Sequence, residues 1–110
     1  MDYHDNPYYA PEVWGWRMID SIGFGEADSF NIYAFFVDVS GYVRFGTDAG
    51  CSCSAPFDSH YGPDDFEVLT RERWQQVEAE MLYSIGEGDG VTYGEVQRVI
   101  SKIEEALRAE

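Results

Sequence analysis

The chain has 110 residues, enough for one domain with a modest hydrophobic core, and it is rich in aromatic residues, with three Trp, eight Tyr and seven Phe. Its net charge of −14 repels phosphate backbones and anionic lipid surfaces, so direct nucleic-acid binding and membrane attachment are disfavoured. Because the N-terminus lacks a signal-peptide pattern and no apolar run approaches the roughly 18 residues of a membrane span, we expect a cytoplasmic protein with reduced thiols and no cofactor.

The N-terminal residues 1–13 are expected to form an extended leader, because Pro7 and Pro11 bias the residues before them away from helix. From Trp14 onward, large apolar residues occupy alternate positions, which is typical of a half-buried strand. This pattern opens a predicted meander of three antiparallel strands over residues 14–48.

A hairpin forms the centre of the predicted meander. Two β-rich runs flank a Ser-Gly turn at positions 40–41, which favours a two-residue connection. Such a turn pairs Val39 with Tyr42 and so places Phe36 opposite Phe45. One face of the hairpin is then expected to be core, and its residues are Phe30, Ile32, Ala34, Phe36, Val43 and Phe45.

Two helices are predicted over residues 70–109, with Thr70 and Thr92 as their N-cap residues. Apolar residues recur at helical spacing in both. They are Trp74, Val77, Met81 and Ile85 in the first helix, and Val96, Val99, Ile100, Ile103 and Leu107 in the second. The expected fold is α+β, a single domain of residues 1–110 in which the three-stranded antiparallel β-meander is followed by two C-terminal helices packed on one face.

The other face of the hairpin is a candidate partner-binding surface, because Tyr and Arg contribute strongly at protein interfaces and an open aromatic patch is costly in water. The alternative is that the leader, with Tyr8 and Tyr9, folds back and covers this face. The candidate partner-binding residues are Tyr33, Phe35, Tyr42 and Arg44.

A loop over residues 49–69 holds both cysteines and is a low-ranking candidate for chemistry. Cys51, Cys53 and His60 could bind zinc or supply a reactive thiol. One residue separates the two cysteines, whereas structural zinc sites usually separate them by two to four, so the match is poor. The favoured interpretation is that the thiols are packing groups and that Phe57 plugs the loop against the core.

Acidity suggests a further alternative, mimicry of a nucleic acid by carboxylates that attract a DNA-binding protein. The 21 acidic residues are scattered through the chain, however, and such residues also keep an aromatic-rich protein soluble. The charge therefore leaves mimicry as a second binding mode.

The segment at residues 50–57, Gly-Cys-Ser-Cys-Ser-Ala-Pro-Phe, and the run Phe-Glu-Val-Leu-Thr at residues 66–70 resemble small uncharacterised proteins of phages that infect actinobacteria. This family shares the Cys-Ser-Cys-x-x-Pro-Phe segment, and the resemblance covers residues 14–75. It implies a phage product that acts in the bacterial cytoplasm, and it carries over no catalytic or binding residue. The sequence therefore predicts a non-enzymatic, acidic interaction protein that binds a host protein or itself.

Overall fold

A four-stranded antiparallel sheet, with its strands in the order of the sequence, forms the centre of the protein. The structure, a computed structural model, describes residues 7–24, 29–51, 57, 63–85 and 91–109. The strands are β1 (Arg17–Gly23), β2 (Ser29–Val37), β3 (Val43–Cys51) and β4 (Glu67–Val68).

Two α-helices follow the sheet, α1 (Arg71–Ser84) and α2 (Tyr93–Arg108). Their predicted N-caps are confirmed, because Thr70 Oγ1 accepts a hydrogen bond from the third residue of α1 and Thr92 Oγ1 does the same for α2, both at 3.1 Å. Every apolar residue predicted for the buried stripes of the two helices is buried, except Ile85, which is half-buried just after α1. Within the described ranges, neither helix combines the length and apolar character needed to span a membrane.

The α+β class is confirmed, but the strand count and several boundaries were wrong. The two-residue strand β4 pairs with β3 and makes the sheet four-stranded, and β3 extends into the predicted cysteine loop. At the end of the predicted leader, Pro11–Trp14 form a 3-10 helix instead of an extended segment, and this helix starts at a proline and ends at Gly15 with a φ of 73°. The first strand consequently starts at Arg17.

The register of the central hairpin differs from the prediction by one residue. Phe35, not Phe36, lies opposite Phe45, because five residues rather than two connect β2 to β3. A one-residue shift sends every side chain of one strand to the opposite face relative to its partner. The faces inferred for the hairpin were therefore wrong.

Both faces of the sheet are covered. Tyr33, Phe35 and Phe45 lie beneath α1 and α2 in the larger core cluster. The opposite face carries a smaller, mainly aromatic cluster formed by Trp16, Ala34, Phe36, Phe57 and Phe66, with Tyr8 of the leader packed against it.

Gly46 allows the smaller cluster to sit directly on the sheet. A Cβ atom at this position would lie 2.7 Å from Cδ2 of the Phe66 ring and 3.3 Å from Cε1 of Phe57. Real Cβ atoms essentially never approach another heavy atom to 2.7 Å, so any larger residue forces this ring to move. The stacking of the two rings, 5.6 Å apart, depends on the missing side chain.

Gly46→Ala should lower the free energy of unfolding by about 1–3 kcal/mol, because overpacking displaces a fully buried ring. The measurement is urea unfolding followed by Trp fluorescence. Gly94→Ala is the matched control, since its Cβ would come no nearer than 3.8 Å to another residue and alanine favours helix. Equal stability of the two variants would contradict the close approach.

Candidate functional site

Three apolar side chains project into solvent near the turn that joins β2 to β3. Val39 and Tyr42 are 78% and 52% exposed, and Val13 of the 3-10 helix is 59% exposed. The end of that helix lies against the turn, since a Cβ atom at Gly15 would be 3.6 Å from the Val39 side chain. We name Val13, Val39 and Tyr42 the sheet tip.

The turn is held by the side chain of Asp38, whose backbone precedes it. Asp38 Oδ1 accepts hydrogen bonds from the backbone N–H groups of Ser40 at 3.0 Å and Tyr42 at 2.9 Å. The Asp38 N–H donates to the Tyr42 carbonyl at 2.9 Å, and Gly41 supplies the φ of 90° that the turn requires. Val39 and Tyr42 of the sheet tip therefore lie on a loop that is held by several hydrogen bonds.

The carboxylate of Asp38 stays charged in spite of its burial. Burial is the largest single influence and raises the pKa of Asp38. Two backbone N–H donors, the hydrogen bond from Arg44 and the charge of Arg44 outweigh it together, and they lower the pKa of Asp38 below its ordinary value of 3.8. An ionised acceptor makes each of these hydrogen bonds stronger than a neutral one would.

Arg44 connects the turn to the aromatic cluster on the same side. Its Nε donates to Asp38 Oδ2 at 2.9 Å, and its Nη1 donates to the Phe66 carbonyl at 3.0 Å. Its guanidinium also lies 5.5 Å from the centre of the Trp16 ring. Three segments of the chain therefore meet at this one side chain, whose contacts are with other parts of the same protein.

The four predicted partner-binding residues do not form one surface. Tyr33 is 7% exposed and Phe35 is fully buried, so the expectation that they line an open face was wrong. The hydrogen-bonded connection at Asp38 shifts the register and turns both of them toward the helices. Tyr42 is exposed as predicted, and Arg44 is largely enclosed by its internal contacts.

Tyr33 has a structural role in the interior. Its hydroxyl donates to Glu80 Oε2 of α1 at 3.4 Å, and its ring packs edge-to-face on Phe24 at 5.7 Å. Burial, followed by the negative charge of Glu80 and this hydrogen bond, raises the pKa of Tyr33. Replacing Tyr33 would therefore test folding rather than binding.

The leader does fold back on the sheet, but it covers the face opposite Tyr33 and Phe35. Tyr8 packs on Phe57 with ring centres 4.6 Å apart, and Tyr9 packs edge-to-face on Tyr8. The alternative prediction that the leader folds back onto the sheet is thus confirmed for Tyr8, but the face that it was expected to cover was wrong.

The cysteine loop is described only in part. Cys51 is the last residue of β3, whereas Cys53 and His60 lie outside the described residues. Phe57 plugs the loop against the core as predicted, being fully buried with its N–H donating to Asp48 Oδ2 at 2.6 Å. The described ranges contain no group of three or more His, Cys, Asp or Glu arranged to hold a metal ion. The zinc or thiol site stays a prediction.

Val13 and Val39 were missed as candidate binding residues. The signal for Val39 was its place beside a Ser-Gly turn, where a large β-branched residue has little core to enter. No comparable signal marked Val13, because its exposure results from the 3-10 helix that forms at the end of the leader.

Comparison with protein families identifies a matching family model. The family model described as Domain of unknown function (DUF7574) matches residues 5–110. Searches of curated proteins and of solved structures returned no match.

Asp38→Asn should lower the free energy of unfolding by about 1–3 kcal/mol at pH 7, because it removes the charge that binds Arg44 and two N–H groups. The pKa of Asp38 is lower in the folded protein than in the unfolded chain. Its stabilisation is therefore complete above the ordinary pKa of 3.8 and is lost as the pH falls through the folded-state value.

Urea unfolding of the wild type and the Asp38 variant across pH 2.5 to 7 (approximate limits) measures this effect, and the difference between them should shrink on acidification. Asp64→Asn is the control, because it removes one negative charge from an exposed residue. It should alter the free energy of unfolding by less than about 0.5 kcal/mol. A difference that grows as the pH falls would be incompatible with a lowered pKa.

Proposed function

The chain belongs to the DUF7574 family, and we propose that it is a non-enzymatic binding protein that captures a host protein in the bacterial cytoplasm through the sheet tip. The resemblance of its Cys-Ser-Cys-x-x-Pro-Phe segment to phage proteins supports a phage-encoded product. The proposal rests on the exposed apolar side chains of the sheet tip and on the hydrogen bonds by which Asp38 holds the turn that carries two of them.

Preorganisation is the physical argument for the sheet tip. Exposed loops commonly pay an entropy cost when they order on a partner. Here the turn is already held by the charged Asp38 and closed by its backbone bonds to Tyr42. Burial of Val39 and Tyr42 against a partner would therefore contribute binding free energy with little further ordering.

The shape and charge of the protein favour a different protein as partner over a second copy. A symmetric dimer requires a surface that fits itself, whereas a projecting turn fits a concave apolar pocket. Two copies, each with a net charge of −14, also repel one another at a distance. The proposed partner presents an apolar pocket within a neutral or basic surface.

Site-specific cross-linking tests this proposal. A photoreactive benzoylphenylalanine at position 39 of the full chain should cross-link to a host protein in an actinobacterial lysate, and mass spectrometry identifies it. With that protein purified, Tyr42→Ala and Val39→Ser should each weaken binding by about tenfold or more while leaving the unfolding temperature unchanged, because the side chains are exposed.

Tyr83→Ala is the matched control, since Tyr83 is 75% exposed on α1 and should leave the affinity unchanged. Full affinity of both sheet-tip variants would refute the site, and cross-links only between copies would refute a different protein as partner. If affinity instead falls more than about tenfold between about 50 and about 200 mM salt while the sheet-tip variants bind normally, the acidic surface is the binding site and nucleic-acid mimicry replaces the proposal.

A further inference from the structure

A groove of about 420 Å³ lies between the edge strand β1 and the C-terminal half of α2, and its lining does not include the residues of the sheet tip. Its volume falls in the range of ligand-binding clefts. Half of the lining is apolar and half is charged. The apolar residues are Ile19, Ala106 and Ala109, and the charged residues are Arg17, Lys102 and Glu105.

Positive charge is concentrated here in a protein that otherwise carries a large negative charge. Arg17 and Lys102 line the groove, and Arg98 lies next to it, so three of the seven basic residues of the chain meet in one place. Arg17 is exposed and makes no ion pair with another described residue. An anionic group in the groove would therefore find a cation that the fold has not already neutralised.

Asp20 arranges the other two cations. Its Oδ2 atom lies 3.3 Å from Lys102 Nζ and 3.5 Å from Arg98 Nε. Because Arg98 also balances the charge of Asp20, Lys102 can turn toward a ligand without leaving a half-buried carboxylate unpaired. Arg17 and Lys102 are thus both able to contact one anion.

The edge of β1 limits what can enter the groove. The N–H of Ser21 donates to Asp20 Oδ1 at 2.8 Å, so this backbone donor of the strand is already used within the protein. A register irregularity between Met18 and Asp20 sets Ile19 apart from the ladder with β2, beside the groove. Only the short stretch from Arg17 to Ile19 remains beside the groove. A stretch of this length suits the end of an extended peptide better than a longer strand that would pair along the whole of β1.

We infer that this groove binds the C-terminus of an extended peptide from a partner protein. The terminal carboxylate contacts Arg17 and Lys102, and the last side chain, which is apolar, packs on Ile19 and the two alanines of α2. Glu105, which also lines the groove, repels a second negative charge, so the ligand carries one carboxylate.

The test uses the full ¹⁵N-labelled protein and the tripeptide acetyl-Ala-Val-Leu, either as the free acid or as the C-terminal amide. The free acid at up to about 5 mM should shift the amide resonances of the groove residues and bind about tenfold more tightly than the amide. Hexanoate, which has the carboxylate without a peptide backbone, should bind more weakly than the free acid by a similar factor.

Variants assign the contacts. Arg17→Gln and Lys102→Gln should each weaken binding of the free acid by about fivefold, and Glu105→Gln should strengthen it by about twofold. Arg108→Gln removes the same charge from the last turn of α2 outside the groove and should change affinity by less than twofold, an approximate limit. The spectrum of each variant without ligand reports whether it is folded.

Several outcomes would overturn the inference. They are no resonance shifts at the highest concentration, equal affinity for the free acid and the amide, an Arg108 variant as weak as the Arg17 variant, and hexanoate binding as tightly as the tripeptide. The last outcome would show a site for small carboxylic acids in place of a peptide terminus.

Discussion

The buried carboxylate of Asp38 sets the register of the central hairpin, and the register decides what each face of the sheet carries. By accepting hydrogen bonds from two N–H groups of the turn, it makes a five-residue connection stable where a two-residue turn was expected. Phe35 and Phe45 consequently share a face and form the base on which the helices pack. The Asp38–Arg44 ion pair then extends the same network to the Phe66 carbonyl, beside β4.

Aromatic side chains do most of the packing on the face away from the helices. This smaller cluster is covered by short segments that differ widely in sequence position, the leader through Tyr8 and the cysteine loop through Phe57. Large rings let such thin coverage bury enough apolar surface, provided that no side chain stands on the sheet at Gly46. Arg44 joins this cluster to the turn that carries Val39 and Tyr42.

The two proposed binding sites differ in the interactions that would hold a partner. The sheet tip is apolar and projects outward, so it suits a concave pocket on a partner and should respond weakly to salt. The groove is concave and locally basic, and it suits a single carboxylate. The two proposals together describe a protein that holds a folded partner at the turn and a peptide terminus beside α2, with Asp38 and Asp20 as the carboxylates that organise the two sites.

The sequence by itself determined the elements whose signals are local: the two helices, their Thr caps, their buried stripes and the existence of the hairpin. It also singled out Tyr42 as an exposed aromatic residue. Tertiary structure decided the hairpin register, the burial of Tyr33 and Phe35 and the position of the leader, because a face is defined only once a distant segment covers it. The groove could not be read from the chain either, since Arg17 and Lys102 are 85 positions apart and meet only when α2 packs along β1.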